Sequence, residues 1–169
     1  VDAASRTAIL EFDKVQADVL NVVPPQRAGD IAANSGLKLI NNRWVDVDWL
    51  SFESVNTPGV HVIGDAIFPA PTMPKSGHMA NQHAKVTAAA ILNLLAGEAP
   101  NPNPVVMNTC YSFVDPKNVI HVTSVHQYDA AKKTVLPVPG SGGVSAAANE
   151  LEGKAALSWA KNIWADMLV

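Results

Sequence analysis

The fold is decided by residues 60–66, which read Val-His-Val-Ile-Gly-Asp-Ala. The apolar run predicts a short buried strand over 60–63, and Gly64-Asp65 predicts a turn at its end. In α/β sheets, dinucleotides bind beyond the carboxyl ends of the strands. A glycine there lets a ligand approach the backbone, and a carboxylate accepts hydrogen bonds from ribose or ribityl hydroxyls. The same dipeptide is also typical of an ordinary turn, so its interpretation depends on its neighbours.

A long helix is predicted just after that turn. Residues 73–78 read Met-Pro-Lys-Ser-Gly-His and lead into an alanine-rich run. Ser76 is a good N-cap and Gly97 a good C-terminal stop, so we predict a helix over 77–96. The free N–H groups and the dipole of a helix N-terminus favour an anion, and Lys75 adds a positive charge. This start suits the N1–O2 edge of a reduced flavin; a phosphate site and an ordinary capped helix remain alternatives.

The remaining pattern predicts a mixed α/β fold. Before residue 60 we expect extended segments and one short helix, and after residue 104 we expect strands and a terminal helix. The apolar residues of that terminal helix recur every four positions and predict one buried stripe, Leu151, Ala155, Trp159, Ile163 and Met167. The expected elements are strands within 7–12 and 18–23, a helix near 30–34, a strand over 44–47, strands at 105–114, 119–126 and 133–138, and a helix over about 146–167.

A proline-rich segment divides the chain. Residues 98–104 read Glu-Ala-Pro-Asn-Pro-Asn-Pro, and alternating prolines neither continue a helix nor supply sheet donors. We therefore expect one unit over 1–97, a linker over 98–104 and a second unit over 105–169.

Composition excludes several classes of function. The 169 residues carry a net charge of −3 with scattered Lys and Arg, which gives no basis for nucleic-acid binding. No apolar run approaches the roughly 20 residues that span a bilayer. The chain opens without Met and without a signal-peptide pattern, which suggests a cleaved product or a fragment.

The cysteine and histidine content excludes the usual metal and disulfide frameworks. Cys110 is the only cysteine, so it is a free thiol or half of a disulfide whose partner lies outside this chain. On base rates a lone cysteine in an apolar strand is more often an inert buried residue. His78 and His83 are five residues apart, not at the four-residue spacing of a helical metal pair, so no metal site is expected.

The order of these motifs is similar to a known family. The turn at 64–66, Pro-Lys-Ser-Gly-His at 74–78, the alanine-rich helix and Asn-Thr-Cys-Tyr-Ser at 108–112 resemble the flavoprotein subunit of flavocytochrome c sulfide dehydrogenase. Residues 18–29 resemble the same family. The resemblance covers essentially the whole chain and implies its C-terminal portion. By that resemblance, 1–97 would complete a glutathione-reductase-like FAD domain, and 105–169 would form a small antiparallel sheet with a terminal helix at the flavin-side interface.

The resemblance also implies an activity and residue roles. Members oxidise sulfide through FAD and pass electrons to a c-type cytochrome subunit, which carries the haem c, in the periplasm. Sulfide attack on a redox-active disulfide gives a persulfide and a thiolate. Carried over to this sequence, the FAD contacts would be Gly64, Asp65, Ala66, Lys75, Ser76 and Gly77, with Cys110 one of the redox cysteines and Trp159 an aromatic residue near the sulfide site.

The sequence departs from the family pattern at its front. It has no Gly-x-Gly-x-x-Gly turn, no second cysteine and no NAD-like domain. We therefore expect the chain to supply only one side of the flavin site and to be inactive when alone. One alternative is a non-catalytic module that presents 105–169 to a cytochrome or to the N-terminal part, with Trp159 and Trp164 only packing the last helix. A pyridine-nucleotide:disulfide or sulfide:quinone reductase is another.

Overall fold

A computed structural model describes residues 1–168 and shows a mixed α/β architecture with antiparallel sheets and a C-terminal helix, which confirms the expected fold class. The elements in chain order are β1 (Thr7–Ile9), β2 (Lys14–Gln16), α1 (Asp30–Asn34), β3 (Leu39–Ile40), β4 (Trp44–Val45), a 3₁₀ turn (Gly64–Ala66), α2 (Gly77–Leu95), β5 (Val105–Phe113), β6 (Val119–Asp129), β7 (Thr134–Pro137), β8 (Gly143–Val144) and α3 (Glu150–Met167).

One hydrophobic core connects the first half of the chain with the sheet. It gathers the β3–β4 hairpin, the loop after it, the start of α2 and one face of the sheet. Its most buried apolar members are Val45, Phe52, Ile67, Met79, Val106 and Val135. Because this core reaches from both sides of the 3₁₀ turn to β5, it holds the turn, the start of α2 and β5 together.

The second half is a four-stranded antiparallel sheet in the order β5-β6-β7, with β8 also paired to β6. Alternate residues of a strand share a face. On β5, Val106 and Asn108 are buried, and Cys110 continues the same face into an exposed position. Cys110 lies opposite Val122 of β6.

Two predicted strands do not form. Residues 60–63 make a single bridge, between His61 and Glu53, and their remaining backbone bonds serve a loop: the N–H of Val62 donates to the Phe52 carbonyl. Residues 18–23 are irregular and exposed, with Val19 86% exposed. A β-prone run becomes a strand only where a neighbouring backbone pairs with it, and sequence does not reveal that neighbour.

The predicted stripe on α3 is also wrong. The helix contacts β6 through Gly153 and Ala156, whereas Leu151 is 77% exposed and Met167 is exposed. Four residues advance an α-helix by about 400°, so a strict four-residue series drifts by about 40° per step and leaves the buried face. The drift over 151–167 places the ends of the series far apart around the helix.

Candidate functional site

The 3₁₀ turn at 64–66 lies directly against α2. Gly64 has φ of +68°, and a Cβ built on it would stand 3.1 Å from the Cβ of Ala80. A glycine is therefore required both by the left-handed backbone and by the close approach of the helix. The backbone N–H of Gly64 donates to Nδ1 of His83 at 3.2 Å, which ties the turn to the middle of α2.

Lys75 fixes the other side of this turn. Its ammonium donates to the carbonyl oxygens of Asp65 at 2.7 Å and Ile67 at 2.8 Å, and it lies 3.8 Å from the ring centroid of Trp44. Burial lowers the pKa of Lys75, and the Asp65 carboxylate partly opposes that shift. The sequence suggested that the Lys75 ammonium would bind a ligand. In the structure it binds backbone carbonyls of the protein and the face of the Trp44 ring instead.

A cleft of about 520 Å³ opens beside the turn. Asp65, Ala66 and Lys75 line it from one side, and residues 26–29 and Trp44 line it from the other. The Asp65 carboxylate accepts no hydrogen bond from any side chain or backbone group among residues 1–168. Its oxygens are therefore available to hydroxyl donors of a ligand in the cleft.

The start of α2 presents free backbone donors. Ser76 accepts the N–H of Met79 at 3.1 Å, and the N–H of Ala80 returns to the Ser76 carbonyl. In the described chain, the N–H groups of Gly77 and His78 have no acceptor. A Cβ at Gly77 would meet nothing within 4 Å, and Gly77 borders a second cleft of about 600 Å³. This end of the helix can receive an anion.

Cys110 is connected to that helix start through one side chain. The Ser76 hydroxyl donates to Oδ1 of Asn108 at 2.5 Å, and Nδ2 of Asn108 donates to the Cys110 sulfur at 3.2 Å. Asn108 is only 1% exposed, whereas Cys110 is exposed. The cysteine is thus open to solvent on one side and held by a buried amide on the other.

Trp159 of α3 packs beside the same strand. Its ring lies 5.3 Å from that of His78 in an edge contact and 5.7 Å from that of Tyr111, the residue after Cys110. Nδ1 of His78 accepts the N–H of Thr109 at 3.0 Å. Burial, followed by the nearby Lys85 ammonium, holds the pKa of His78 below its usual value, so the ring is neutral at neutral pH.

The structure therefore distributes the sequence-predicted residues over two neighbouring groups. Asp65, Ala66 and Lys75 share the first cleft, and Gly64, in the same turn as Asp65, packs against Ala80 of α2. The second group is joined by direct contacts and consists of Ser76, Gly77, Cys110 and Trp159, together with Asn108, His78 and Tyr111.

Sequence reasoning missed three residues of these groups. Asn108, His83 and Trp44 each contact a predicted site residue. Asn108 had a usable signal, since a polar residue two positions before a strand cysteine shares its face. His83 and Trp44 had none, because their partners lie in distant segments.

Residues 102–168 match the family model described as flavocytochrome c sulphide dehydrogenase, flavin-binding. This part of the chain, fewer than half of its residues, is similar to that family. The match spans all of β5–β8 and all of α3, and it confirms the resemblance found in the motifs. The flavocytochrome c sulphide dehydrogenase family is one of flavoprotein oxidoreductases with a flavin-binding domain, and its name implies a cytochrome partner.

The residues present fit a flavin dinucleotide. The unpartnered Asp65 carboxylate, the open cleft beside it and the free N–H groups of Gly77 and His78 are suited to ribityl hydroxyls and to an electron-rich ring edge. Within residues 1–168, no three His, Cys, Asp or Glu side chains converge to hold a metal ion. No helix in that range has the length and hydropathy to cross a bilayer.

Proposed function

We propose that this chain supplies the isoalloxazine side of an FAD site in a sulfide-oxidising flavoprotein that passes electrons to a periplasmic c-type cytochrome subunit. The observation that supports it most is the family match at 102–168, in which Cys110 lies. The path Ser76–Asn108–Cys110 adds support, because it joins that matched region to the helix start at which a flavin ring would bind.

Each part of the site has a distinct task in this proposal. Asp65 accepts hydrogen bonds from the ribityl or ribose hydroxyls. The start of α2 directs the free N–H groups of Gly77 and His78 at the ring edge, where they stabilise negative charge. Bound FAD supplies an acceptor for two electrons that can then be passed on singly. Lys75 acts indirectly, because its ammonium fixes the turn that carries Asp65.

Cys110 carries the covalent step. Hydrosulfide attacks a disulfide between Cys110 and a cysteine outside this chain. A sulfur–sulfur bond forms to the attacked cysteine, the original disulfide bond breaks, and the other cysteine leaves as a thiolate. The exposed position of Cys110 makes it accessible to that nucleophile. Trp159, Tyr111 and His78 shield one side of the strand from water.

Anaerobic titration with sulfide tests this function. The experiment uses the flavin-containing protein of which this chain is part, the variant Cys110→Ser and the control Thr109→Ser. The side chain of Thr109 lies on the other face of β5, and the control keeps its hydroxyl. We expect sulfide to bleach the flavin band of the wild type and the control and to leave the serine variant oxidised, while dithionite bleaches all three. If sulfide reduced the flavin of the serine variant at the wild-type rate, Cys110 would have no part in the reaction.

Two further measurements separate the alternatives. The reduced protein should reduce an added c-type cytochrome, and cell fractionation should recover it with periplasmic proteins. Reduction by NADH and not by sulfide would indicate a pyridine-nucleotide:disulfide reductase instead.

A non-catalytic interface module is the second candidate, and one surface favours it. Leu157 and Trp164 are exposed and lie within about 20° of each other around α3, a face suited to a protein partner. A preparation without flavin that still binds a c-type cytochrome would support this module.

A further inference from the structure

We propose that Asn108 is a positioning residue that donates a hydrogen bond to the Cys110 sulfur and so raises its reactivity, and that Ser76 sets the orientation of its amide. This inference rests on the proposed function, in which Cys110 is the reactive sulfur. The contacts that carry it are the hydrogen bond from Nδ2 of Asn108 to the sulfur at 3.2 Å and the bond from Ser76 Oγ to Oδ1 of Asn108 at 2.5 Å.

The orientation of the amide follows from the cap of α2. An asparagine amide can be placed in two ways that differ only in which end is oxygen. Ser76 uses a lone pair to accept the N–H of Met79 and donates its proton to Asn108, which makes the facing atom the oxygen. In the reversed orientation that proton would lose its acceptor. The Cys110 thiol also reaches Oδ1 of Asn108 at 3.5 Å, but the shorter contact, at 3.2 Å, is the one in which Nδ2 donates to the sulfur.

The strand holds the amide and the sulfur side by side. Asn108 and Cys110 share a face because they are two residues apart on β5. The carbonyl of Asn108 also accepts the hydroxyl of Thr123 on β6 at 2.8 Å, which fixes its backbone. The placement is therefore present before substrate arrives.

Burial gives the amide its effect on the sulfur. Asn108 is 1% exposed, so water does not compete for its N–H, and a hydrogen bond in such surroundings is stronger than in solvent. A donor to the charged form of an acid favours that form. The sulfur that leaves in the disulfide step departs with a negative charge, and the N–H stabilises that developing charge.

The test measures the reactivity of Cys110 directly. The flavin-containing protein is reduced, freed of reductant and alkylated with iodoacetamide at a series of pH values, and the Cys110 peptide is quantified by mass spectrometry. Asn108→Asp keeps an oxygen toward Ser76 but replaces the N–H with a second, negatively charged oxygen. We expect this variant to react about tenfold more slowly at neutral pH, which is the effect of losing one hydrogen bond to a charged group.

Two companion variants keep the test decisive. Thr109→Ser alters the adjacent residue on the opposite face but keeps the hydroxyl that contacts Thr123, and we expect its alkylation profile to coincide with that of the wild type. Ser76→Ala keeps the amide but removes the proton that orients it, and we expect slower alkylation in the same direction as Asn108→Asp. If Asn108→Asp does not fold, the Ser76→Ala profile decides the question. An alkylation profile unchanged in the folded variants would overturn the role of Asn108.

The outcomes for Asn108 and for the proposed function are separable. Sulfide reduction of the wild-type flavin combined with unchanged alkylation in Asn108→Asp would leave the function standing and reject the positioning role. The opposite result is slower alkylation in that variant together with a wild-type flavin that sulfide does not reduce. It would support the hydrogen bond from Asn108 to the Cys110 sulfur and reject sulfide oxidation.

Discussion

Nδ1 of His83 accepts the backbone N–H of Gly64 at 3.2 Å, so a buried imidazole in the middle of α2 holds the turn that carries Asp65. The ring is 1% exposed and packs 4.5 Å from the ring of Phe52. Nε2 has no partner among residues 1–168. An imidazole that accepts at Nδ1 must be neutral, and burial together with the charge of Lys75 lowers the pKa of His83 from 6.5 to about 4.

This depressed pKa predicts a loss of stability in mild acid. Between pH 6.5 and about 4 the unfolded chain binds a proton at His83 that the folded chain does not, so the free energy of unfolding falls as the pH falls through this window. The full shift corresponds to about 3 kcal/mol. Urea unfolding from pH 7 to pH 4 measures the slope in the wild type.

The matched variant for that measurement is His83→Gln. A glutamine oxygen can accept the N–H of Gly64 without titrating, so we expect a flatter dependence on pH between 6.5 and about 4. His126 is present in both proteins, and the difference in slope therefore isolates His83. Equal slopes would show that His83 does not titrate with unfolding.

Replacing Gly64 tests the contact between the turn and the helix. Gly64→Ala forces a side chain into a left-handed backbone and against Ala80, and we expect a loss of about 2–3 kcal/mol in unfolding free energy together with weaker FAD binding. Gly36→Ala has a similar φ of +74° but no atom within 4 Å, so it measures the backbone cost alone. The loss of unfolding free energy in Gly64→Ala beyond that in Gly36→Ala measures the clash with Ala80. The double variant Gly64→Ala with Ala80→Gly removes this clash, so it should recover that part of the loss, less the cost of placing a glycine in α2.

Two lysines provide a second comparison. Lys75→Met leaves the carbonyls of Asp65 and Ile67 without their donor and removes the contact with Trp44, and we expect a loss of about 1–3 kcal/mol in unfolding free energy and a lower affinity for FAD. Lys85→Met breaks only an exposed ion pair with Asp166, for which a loss of less than about 1 kcal/mol is expected. Equal losses in the two variants would contradict the structural role of Lys75.

The absence of a side chain at Gly153 allows α3 to pack close to the loop before β6. A Cβ at this position would collide with the carbonyl oxygen of Lys117, so Gly153→Ala should displace the helix and cost about 1–3 kcal/mol. Ser158→Ala, on the exposed side of α3, should leave stability unchanged or slightly raised. Thermal unfolding measures both variants. Hydrogen exchange should show faster exchange across α3 in the Gly153 variant only.

The elements that sequence predicted correctly are those with local signals. The Ser76 cap and the run that follows predicted α2, which spans Gly77–Leu95. The strand-like segments at 105–114 and 119–126 correspond to β5 and to most of β6. The strand over 60–63 and the stripe on α3 were wrong because each depends on what packs against the segment. A single strand does not stabilise itself, and spacing alone does not show which side of a helix is covered.

By itself, the sequence determined the helix that begins at Ser76-Gly77, the strand that carries Cys110 and the motifs of a flavin-binding family. Only the tertiary structure decided that Lys75 donates to the carbonyl of Asp65 in the 3₁₀ turn. The same holds for the bond from the Gly64 N–H to His83 and for the bond from Asn108 to the Cys110 sulfur. The physical reason is the range of the interactions. Caps and strand propensities act between near neighbours, whereas the bond from Ser76 to Asn108 joins residues 32 positions apart, which meet only once α2 has packed on the sheet.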